Sequence, residues 1–259
     1  KYTQLPKDLY IRNRDKLSKH LDRNALAVFN SNDVLPTNAD GHLPLVQNTD
    51  LFYMSGVDQE ETILLICPHA SREAWKEILF VKETNEEIAI WEGAKLDKKQ
   101  AYESSGVKTV MWRSQFNSVF NTLMAQSESV DVNTNEHLRA HLEVETRDAR
   151  FIKKLRNDYP GHPHKRLSPI MHDLRSVKER EEIDQLQRAC NITKSGVERI
   201  LKFIKPGVLE YEIEAELSHE FLKNGSRGFA YTPIIASGAS ACVLHYVEND
   251  QECKDGDVI

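Results

Sequence analysis

The sequence predicts an α/β domain followed by the beginning of an α+β domain. Strand-like apolar runs alternate with amphipathic helices through the first half of the 259-residue chain. A segment rich in Pro, Gly and basic residues, Tyr159–Pro169, then interrupts the helical periodicity. Beyond it, two helices lead into a Gly-rich turn. We therefore expect two domains, at residues 1–172 and 173–259, in keeping with domain lengths of about 100–200 residues.

The elements of the first domain follow from the period of their apolar residues. Helical spacing predicts these helices: Tyr10–Leu21, Lys98–Glu103 and Gln115–Met124. Short apolar runs bounded by turn-forming residues predict these strands: Ala25–Phe29, Thr62–Ile66, Glu77–Val81, Glu87–Trp91 and Lys108–Met111. The expected architecture is a mixed sheet covered by helices.

The second domain opens with two predicted helices. Ser176, with Glu179 three residues later, indicates an N-cap for a long helix that ends near Ile204, before a Pro-Gly pair. The next helix is predicted from Tyr211 to Lys223 and ends at Asn-Gly. At the other end of the domain, Asp-Gly-Asp is a turn signal, and we expect Val258 and Ile259 to begin a buried strand. We also expect the chain to stop within this domain.

Composition excludes several classes of protein. The net charge of −6 gives no basic surface for nucleic acid. No apolar run reaches the length of about 18 residues that a membrane helix needs, and the N-terminus lacks the apolar core of a signal peptide, so the cytoplasm is the expected location. The four cysteines show no metal or disulfide spacing and are expected to be free thiols. A Cys242 or Cys253 nucleophile near His245 is an alternative that lacks a third orienting group.

Three histidine arrangements are candidates for function. His137 and His141 are spaced to share a helical face with Glu145, which could hold a metal but is more typical of a solvated face. His162-Pro163-His164 is expected to be an exposed turn, since two ligands without a third rarely close a site. His245 differs because it lies between apolar and aromatic residues, on an expected strand that follows a Gly-rich turn with room for a ligand.

Several segments form motifs with a recognisable order, and the first is Leu244-His245-Tyr246 followed by Asp-Gly-Asp. It resembles the approach to the first metal-binding strand in the creatinase/prolidase/aminopeptidase P group of metallopeptidases. Gln47–Gly56 and Trp91-Glu92-Gly93 look like motifs of the aminopeptidase P N-terminal domain, and Asp173–Ile183 looks like the opening helix of the catalytic domain. Ser240 departs from the family, which commonly has Asn at this place in the turn.

The resemblance implies a pita-bread catalytic domain that holds two divalent metal ions, taken as manganese, and acts on peptides with proline in second position. It also implies that His245 contacts substrate and assists proton movement, that Tyr231 lies near the substrate cleft, and that the parent protein is a homo-oligomer. Tyr53 and Trp91 are interpreted as packing aromatics, with the cleft rim or an oligomer contact as the alternative. The resemblance supplies no metal ligand within residues 1–259.

The sequence leaves two functions open. The first is an Xaa-Pro aminopeptidase, whose activity belongs to the parent protein; the 259-residue chain alone is expected to be inactive and prone to association through its uncovered sheet edge. The second is a catalytically inactive module of the same fold that binds peptides or proteins. Spacing does not separate aminopeptidase P from prolidase.

Overall fold

The computed structural model describes residues 4–136 and 143–259. Its backbone forms two compact units, Gln4–Val177 and Lys178–Ile259, called the N-terminal unit and the C-terminal unit. The N-terminal unit has the helices α1 (Lys7–His20), α2 (Thr49–Ser55), α3 (Glu86–Glu92), α4 (Lys98–Ser105), α5 (Phe116–Met124), α6 (Arg147–Asp158) and α7 (Ser168–Ser176). Its strands are β1 (Ala25–Asn30), β2 (Ile63–Ile66), β3 (Glu77–Val81), β4 (Thr109–Trp112), β5 (Ser129–Val132) and β6 (His164–Arg166). The C-terminal unit contains α8 (Arg180–Phe203) and α9 (Glu210–Lys223).

In the described part of the N-terminal unit the strands form one mixed sheet, in the order β4-β3-β2-β1-β5-β6. The pairs β1–β2 and β2–β3 are antiparallel, whereas β1–β5, β3–β4 and β5–β6 are parallel. The mixed sheet with covering helices confirms the predicted α/β class. Strand β1 is buried along its whole length, because it lies centrally and both sheet faces are covered.

Alternate residues of β1 supply the two apolar cores. Leu26 and Val28 belong to the core that includes Phe116 and Phe120 of α5. Ala27 and Phe29 belong to the opposite core, which includes residues of α1, α2, α4 and α7. The period-2 alternation of strand side chains therefore joins two helical layers through one sheet.

Arg14 on α1 fixes three elements of the N-terminal unit. Its side chain is fully buried, and its Nε donates to Glu77 Oε2 at 3.0 Å. Its Nη1 donates to the carbonyl oxygens of Met54 at 2.7 Å and Ser105 at 2.9 Å. These carbonyls lie at the C-terminal ends of α2 and α4, where partial negative charge favours a cation.

The Gln47–Gly56 motif has a structural explanation. Asn48 caps α2, since its side chain accepts from the backbone N–H groups of Asp50 and Leu51. Gly56 ends the helix at φ 65°, and a Cβ there would lie 2.3 Å from the ring of Tyr10. The Asp50 carboxylate accepts from Arg175 at 2.6 Å and so connects α2 to α7.

The strand predicted at Glu87–Trp91 is wrong, because this segment is the helix α3. The side chain of Asn85 accepts from Ile88 N at 2.8 Å and caps it. Glu86 and Glu87 then occupy the first turn, where the helix dipole favours acidic side chains. The packing interpretation of Trp91 is also wrong, since its side chain is 86% exposed. Tyr53 is buried as expected.

Two predictions at the end of the N-terminal unit are also corrected. Rather than an exposed turn, His162 and His164 are half-buried, and His164 pairs with Val130 as part of β6. Ser176 does not cap the long helix; it is the last residue of α7. Helix α8 starts four residues later, where Glu182 accepts from Glu179 N at 2.9 Å. The helical run from Ser168-Pro169 extends through Ser176 and so displaces the cap.

Helices α8 and α9 form the main packed pair of the C-terminal unit. Gly196 allows their close approach, because a Cβ at this position would lie 2.9 Å from the Phe221 ring. Arg199 forms an ion pair with Glu216 across the pair. A small apolar core of the same unit includes Val208, Ile213, Ile235 and Cys253, and Phe203 of α8 packs against it.

Within the described residues, we find no helix with the length and apolar character that crossing a bilayer requires.

Asp131 on β5 is a buried carboxyl group that makes the stability of the N-terminal unit depend on pH. Its side chain is 3% exposed, its Oδ1 has no hydrogen-bond partner, and burial raises its pKa to about 6 from the usual 3.8. The neutral carboxyl of Asp131 avoids a buried charge in the folded protein. Its contribution to the free energy of unfolding is fully present below pH 3.8 and is lost as the pH rises through about 6. At pH 7.5 the buried charge therefore costs up to about 3 kcal/mol, at about 1.4 kcal/mol per pKa unit.

We expect Asp131→Asn to raise the free energy of unfolding by about 1–3 kcal/mol at pH 7.5 and to leave it nearly unchanged at pH 4. Urea denaturation of both proteins at the two pH values measures this difference. A matched control is Asp40→Asn, because Asp40 is an exposed acidic residue in a turn of the same unit. Equal effects of Asp131→Asn at both pH values would contradict the assignment.

Candidate active-site segment around His245

His245 lies in an exposed turn of the C-terminal unit, not on a strand. A short 3₁₀ helix, Gly238–Cys242, precedes the turn. Leu244 is 87% exposed, whereas Tyr246 is buried. The strand expectation is therefore wrong, because only one of the two residues that flank the imidazole packs inward. The imidazole itself is accessible to a ligand.

Glu210 is the buried acceptor to which this segment is attached. The residue is fully buried at the first position of α9. Its Oε1 accepts from the N–H and the hydroxyl of Ser237, at 2.6 and 2.7 Å. Its Oε2 accepts from the Tyr246 hydroxyl at 2.6 Å and from Gln251 N at 3.0 Å. One carboxylate thus contacts residues before, within and after the His245 turn.

The hydrogen bonds at Glu210 determine the ionisation states of Glu210 and Tyr246. Burial alone would raise the pKa of Glu210, but the hydrogen bonds from Tyr246, Gln251 and Ser237 outweigh it and lower the pKa below its ordinary value. All four groups that contact the carboxylate, two N–H groups and two hydroxyl groups, donate hydrogen bonds to it. This matches an ionised carboxylate, which can only accept. The same hydrogen bond to Glu210 raises the pKa of Tyr246. The phenol therefore stays protonated and donates a hydrogen bond to Glu210.

Asn249 forms a second attachment in the same unit. It is buried and adopts φ 50°, in the left-handed region that Asn tolerates better than most residues. Its Oδ1 accepts from Ile235 N at 2.9 Å, and its Nδ2 donates to Glu214 Oε2 at 2.8 Å and to the Pro233 carbonyl at 3.1 Å. The residues that precede the Gly-rich turn are thereby held next to those that follow His245.

The Gly-rich turn also contacts the Asp-Gly-Asp segment. Gly238 adopts φ 54°, and a Cβ there would lie 3.0 Å from Asp257 Oδ1. Its N–H donates to the carbonyl of Val258 at 3.0 Å. The predicted turn at Asp255-Gly256 is confirmed, but Val258 and Ile259 do not form a strand. Only an isolated antiparallel bridge, Leu209 with Glu252, occurs among residues 178–259.

The remaining candidate residues show different environments. Tyr231 is 79% exposed, so it is not a core aromatic, and its proximity to substrate stays a prediction. Cys253 is buried, and burial raises the pKa of its thiol, which disfavours a nucleophilic thiolate. All four cysteines are free. His137 and His141 lie outside the described residues.

The described side chains do not fit a metal centre. Across residues 4–136 and 143–259, no three or more His, Cys, Asp or Glu side chains are grouped so that they could hold a metal ion. His162 instead donates from Nε2 to the carbonyl of Met124 at 3.0 Å. The chemistry that can be derived from this segment is therefore that of His245 and of the groups that hold it.

Glu210 and Asn249 were missed by sequence reasoning. Glu210 reads as an ordinary acidic residue in the first turn of a helix, and Asn249 as a polar residue after a strand. A weak signal existed for Glu210, since it lies on the apolar side of α9, three residues before the buried Ile213. Nothing in the sequence indicates which segments its carboxylate contacts.

Two family models and several curated relatives match this chain. The model of the aminopeptidase P N-terminal domain matches residues 10–132, and that of metallopeptidase family M24 matches residues 184–259. Xaa-Pro aminopeptidase from Escherichia coli strain K12 is 28% identical, over 99% of this chain and 58% of the relative. Human Xaa-Pro aminopeptidase 3 is 24% identical, over 82% of this chain and 42% of the relative.

Solved structures show the same relationship. Aminopeptidase PepP from Pseudomonas aeruginosa superposes with a TM-score of 0.86 at 25% identity and covers 99% of this chain and 58% of that one. Escherichia coli aminopeptidase P with the inhibitor Pro-Leu gives a TM-score of 0.84 at 27% identity, over 98% of this chain and 58% of that one. The chain spans 58% of the length of these bacterial proteins and 42% of the human relative.

The fold and the two domain matches show an α/β N-terminal domain like that of aminopeptidase P, followed by the beginning of a domain like that of metallopeptidase family M24. Along both domains the chain resembles the creatinase/prolidase/aminopeptidase P group, and several of its curated relatives are named Xaa-Pro aminopeptidase.

Asn249→Ala tests the second attachment. The variant leaves the N–H of Ile235 without its acceptor and removes a residue suited to positive φ, so we expect a loss of about 2–4 kcal/mol in local stability. Hydrogen exchange of the Ile235 amide measures it, and the exchange rate should rise by at least about 30-fold. Asn224→Ala is the matched control, because Asn224 is exposed and contacts only Glu220 of α9 through its Nδ2. Unchanged exchange at Ile235 would show that Asn249 does not hold this segment.

Proposed function

We propose that the protein is a metal-dependent aminopeptidase that releases the N-terminal residue from peptides with proline in second position. The observation that carries the proposal is the accessible His245 turn, held by buried polar groups in a segment that matches a metallopeptidase family. The N-terminal unit adds support, because its matched domain is that of aminopeptidase P. Relatives named Xaa-Pro aminopeptidase give the substrate class.

His245 has the chemistry that peptide-bond cleavage requires of a substrate-contacting group. An imidazole can donate a hydrogen bond from one ring nitrogen and accept at the other, and it exchanges a proton near neutral pH. Placed next to the scissile amide, it would orient the substrate and transfer a proton as the bond breaks. The proposed role of Tyr231, which is exposed in the same unit, is contact with the bound peptide.

The wider properties of the enzyme are part of the same proposal. The M24 match implies divalent metal ions, and we propose manganese as the metal. We further propose a homo-oligomer that acts in the cytoplasm, although one relative is named as a mitochondrial peptidase.

The activity is tested with the natural full-length protein, Mn²⁺ and two peptides, Ala-Pro-Leu and Ala-Ala-Leu. We expect release of alanine from the proline peptide, at least about tenfold slower release from the other, and loss of turnover with a chelator. Mass spectrometry of the products measures the cleavage. Binding of the proline peptide without turnover would replace the enzyme with the non-catalytic binding module.

His245→Ala tests the residue assignment. We expect kcat for Ala-Pro-Leu to fall by about 10²–10⁴-fold, the usual contribution of one acid–base group. His219→Ala is the matched control, because His219 is an exposed histidine of α9 in the same unit and should leave the rate unchanged. A rate for His245→Ala within about twofold of the wild type would remove His245 from the mechanism.

A further inference from the structure

The arrangement around Glu210 assigns a function to a residue that is distant in sequence from the proposed substrate contact. We propose that Glu210 is a positioning residue for His245: through the Tyr246 hydroxyl and the N–H groups of Ser237 and Gln251, its carboxylate fixes the turn that presents the imidazole. This inference rests on the proposed function, since positioning has a catalytic meaning only if His245 contacts substrate.

The contacts of Glu210 enclose the His245 segment from both sides. Ser237 lies immediately before the 3₁₀ helix, and Gln251 lies six residues after His245. Attaching both residues to one carboxylate closes the intervening chain into a loop with fixed ends. A loop whose ends are fixed has far fewer conformations than a free segment. Glu210 therefore limits the positions that the imidazole can occupy.

Tyr246 makes the restraint specific to His245. Its ring is buried and its hydroxyl lies 2.6 Å from Glu210 Oε2. His245 is the adjacent residue and is exposed. With Tyr246 directed inward, the backbone at this step has to direct the preceding side chain elsewhere, into solvent. The inward phenol and the accessible imidazole are thus two consequences of one backbone conformation.

The four donors also explain why a carboxylate is needed at this position. The two oxygens accept from two N–H groups and two hydroxyl groups, so both sides of the carboxylate are used. A glutamine has nearly the same shape but replaces one acceptor oxygen with an NH₂ group. That NH₂ group would face either the two donors of Ser237 or the donors of Tyr246 and Gln251, and the donors on that side could then not form their hydrogen bonds. Glu210→Gln therefore breaks the restraint without removing side-chain volume.

The contacts of Glu212 make it a suitable control. It lies in the same first turn of α9, is exposed, and accepts only from Leu209 N. Glu212→Gln keeps an acceptor for that N–H and has no contact with the His245 segment. It changes the charge near the helix N-terminus by the same amount as Glu210→Gln.

The experiment compares the full-length wild type with Glu210→Gln, Tyr246→Phe and Glu212→Gln. Hydrogen exchange of the peptide that spans residues 243–251 should become about 10- to 100-fold faster in the first two variants and stay unchanged in the control. With Ala-Pro-Leu and Mn²⁺, kcat should fall about 10- to 100-fold in the first two variants, with KM changed by less than about threefold. We expect kcat to change more than KM because a disordered His245 turn affects the proton-transfer geometry more than peptide binding.

Each outcome decides the inference. Faster exchange with an unchanged kcat would overturn it and leave Glu210 as a structural residue only. A lower kcat with unchanged exchange would also overturn it, because Glu210 would then affect the reaction without ordering the turn. If Glu210→Gln does not fold, Tyr246→Phe decides, because it removes a single hydroxyl and keeps the buried ring. If the wild type shows no Xaa-Pro cleavage, the proposed function fails separately. Exchange of residues 243–251 then still decides whether Glu210 orders the turn.

Discussion

The C-terminal unit depends on the burial of one carboxylate. Removing the charge of Glu210 from water is costly, and the structure offsets this with hydrogen bonds from two backbone N–H groups and two hydroxyl groups. These donors come from the segments on both sides of His245. Residues 178–259 have little strand pairing. Hydrogen bonds to buried side chains therefore define the path of the chain in this unit, in place of the hydrogen bonds between strands of a sheet.

The N-terminal unit uses the same principle. Arg14 is buried where α2 and α4 end and donates to carbonyl groups of both helices, while Asp50 connects α2 to α7 through Arg175. In both units, a buried charge is placed where backbone groups of opposite polarity are exposed at the ends of helices or in turns. The motif at residues 47–56 is therefore explained by capping and helix anchoring.

The sequence was most informative where a single physical effect dominates. The strand at Glu77–Val81 and the helix that ends at Met124 follow from continuous apolar runs and helical periodicity. Errors arose where two effects compete. At Glu87–Trp91 the β-forming side chains indicated a strand, but the Asn85 cap and two glutamates stabilise a helix. At His245 the alternation of apolar and polar residues indicated a strand, whereas attachment of Tyr246 to Glu210 produces a turn. Such long-range hydrogen bonds leave no periodic signal, so Glu210 and Asn249 were not predictable as anchors.

We infer that the ordered turn brings His245 to the scissile bond of a proline-containing peptide. A crystal structure of the full-length protein with a bound Xaa-Pro peptide would reveal this contact. We expect an imidazole nitrogen within about 3 Å of a polar atom of the peptide backbone, with the Tyr246 hydroxyl still hydrogen-bonded to Glu210. A peptide bound away from His245, or a turn that has moved off Glu210 to reach it, would rule out this role.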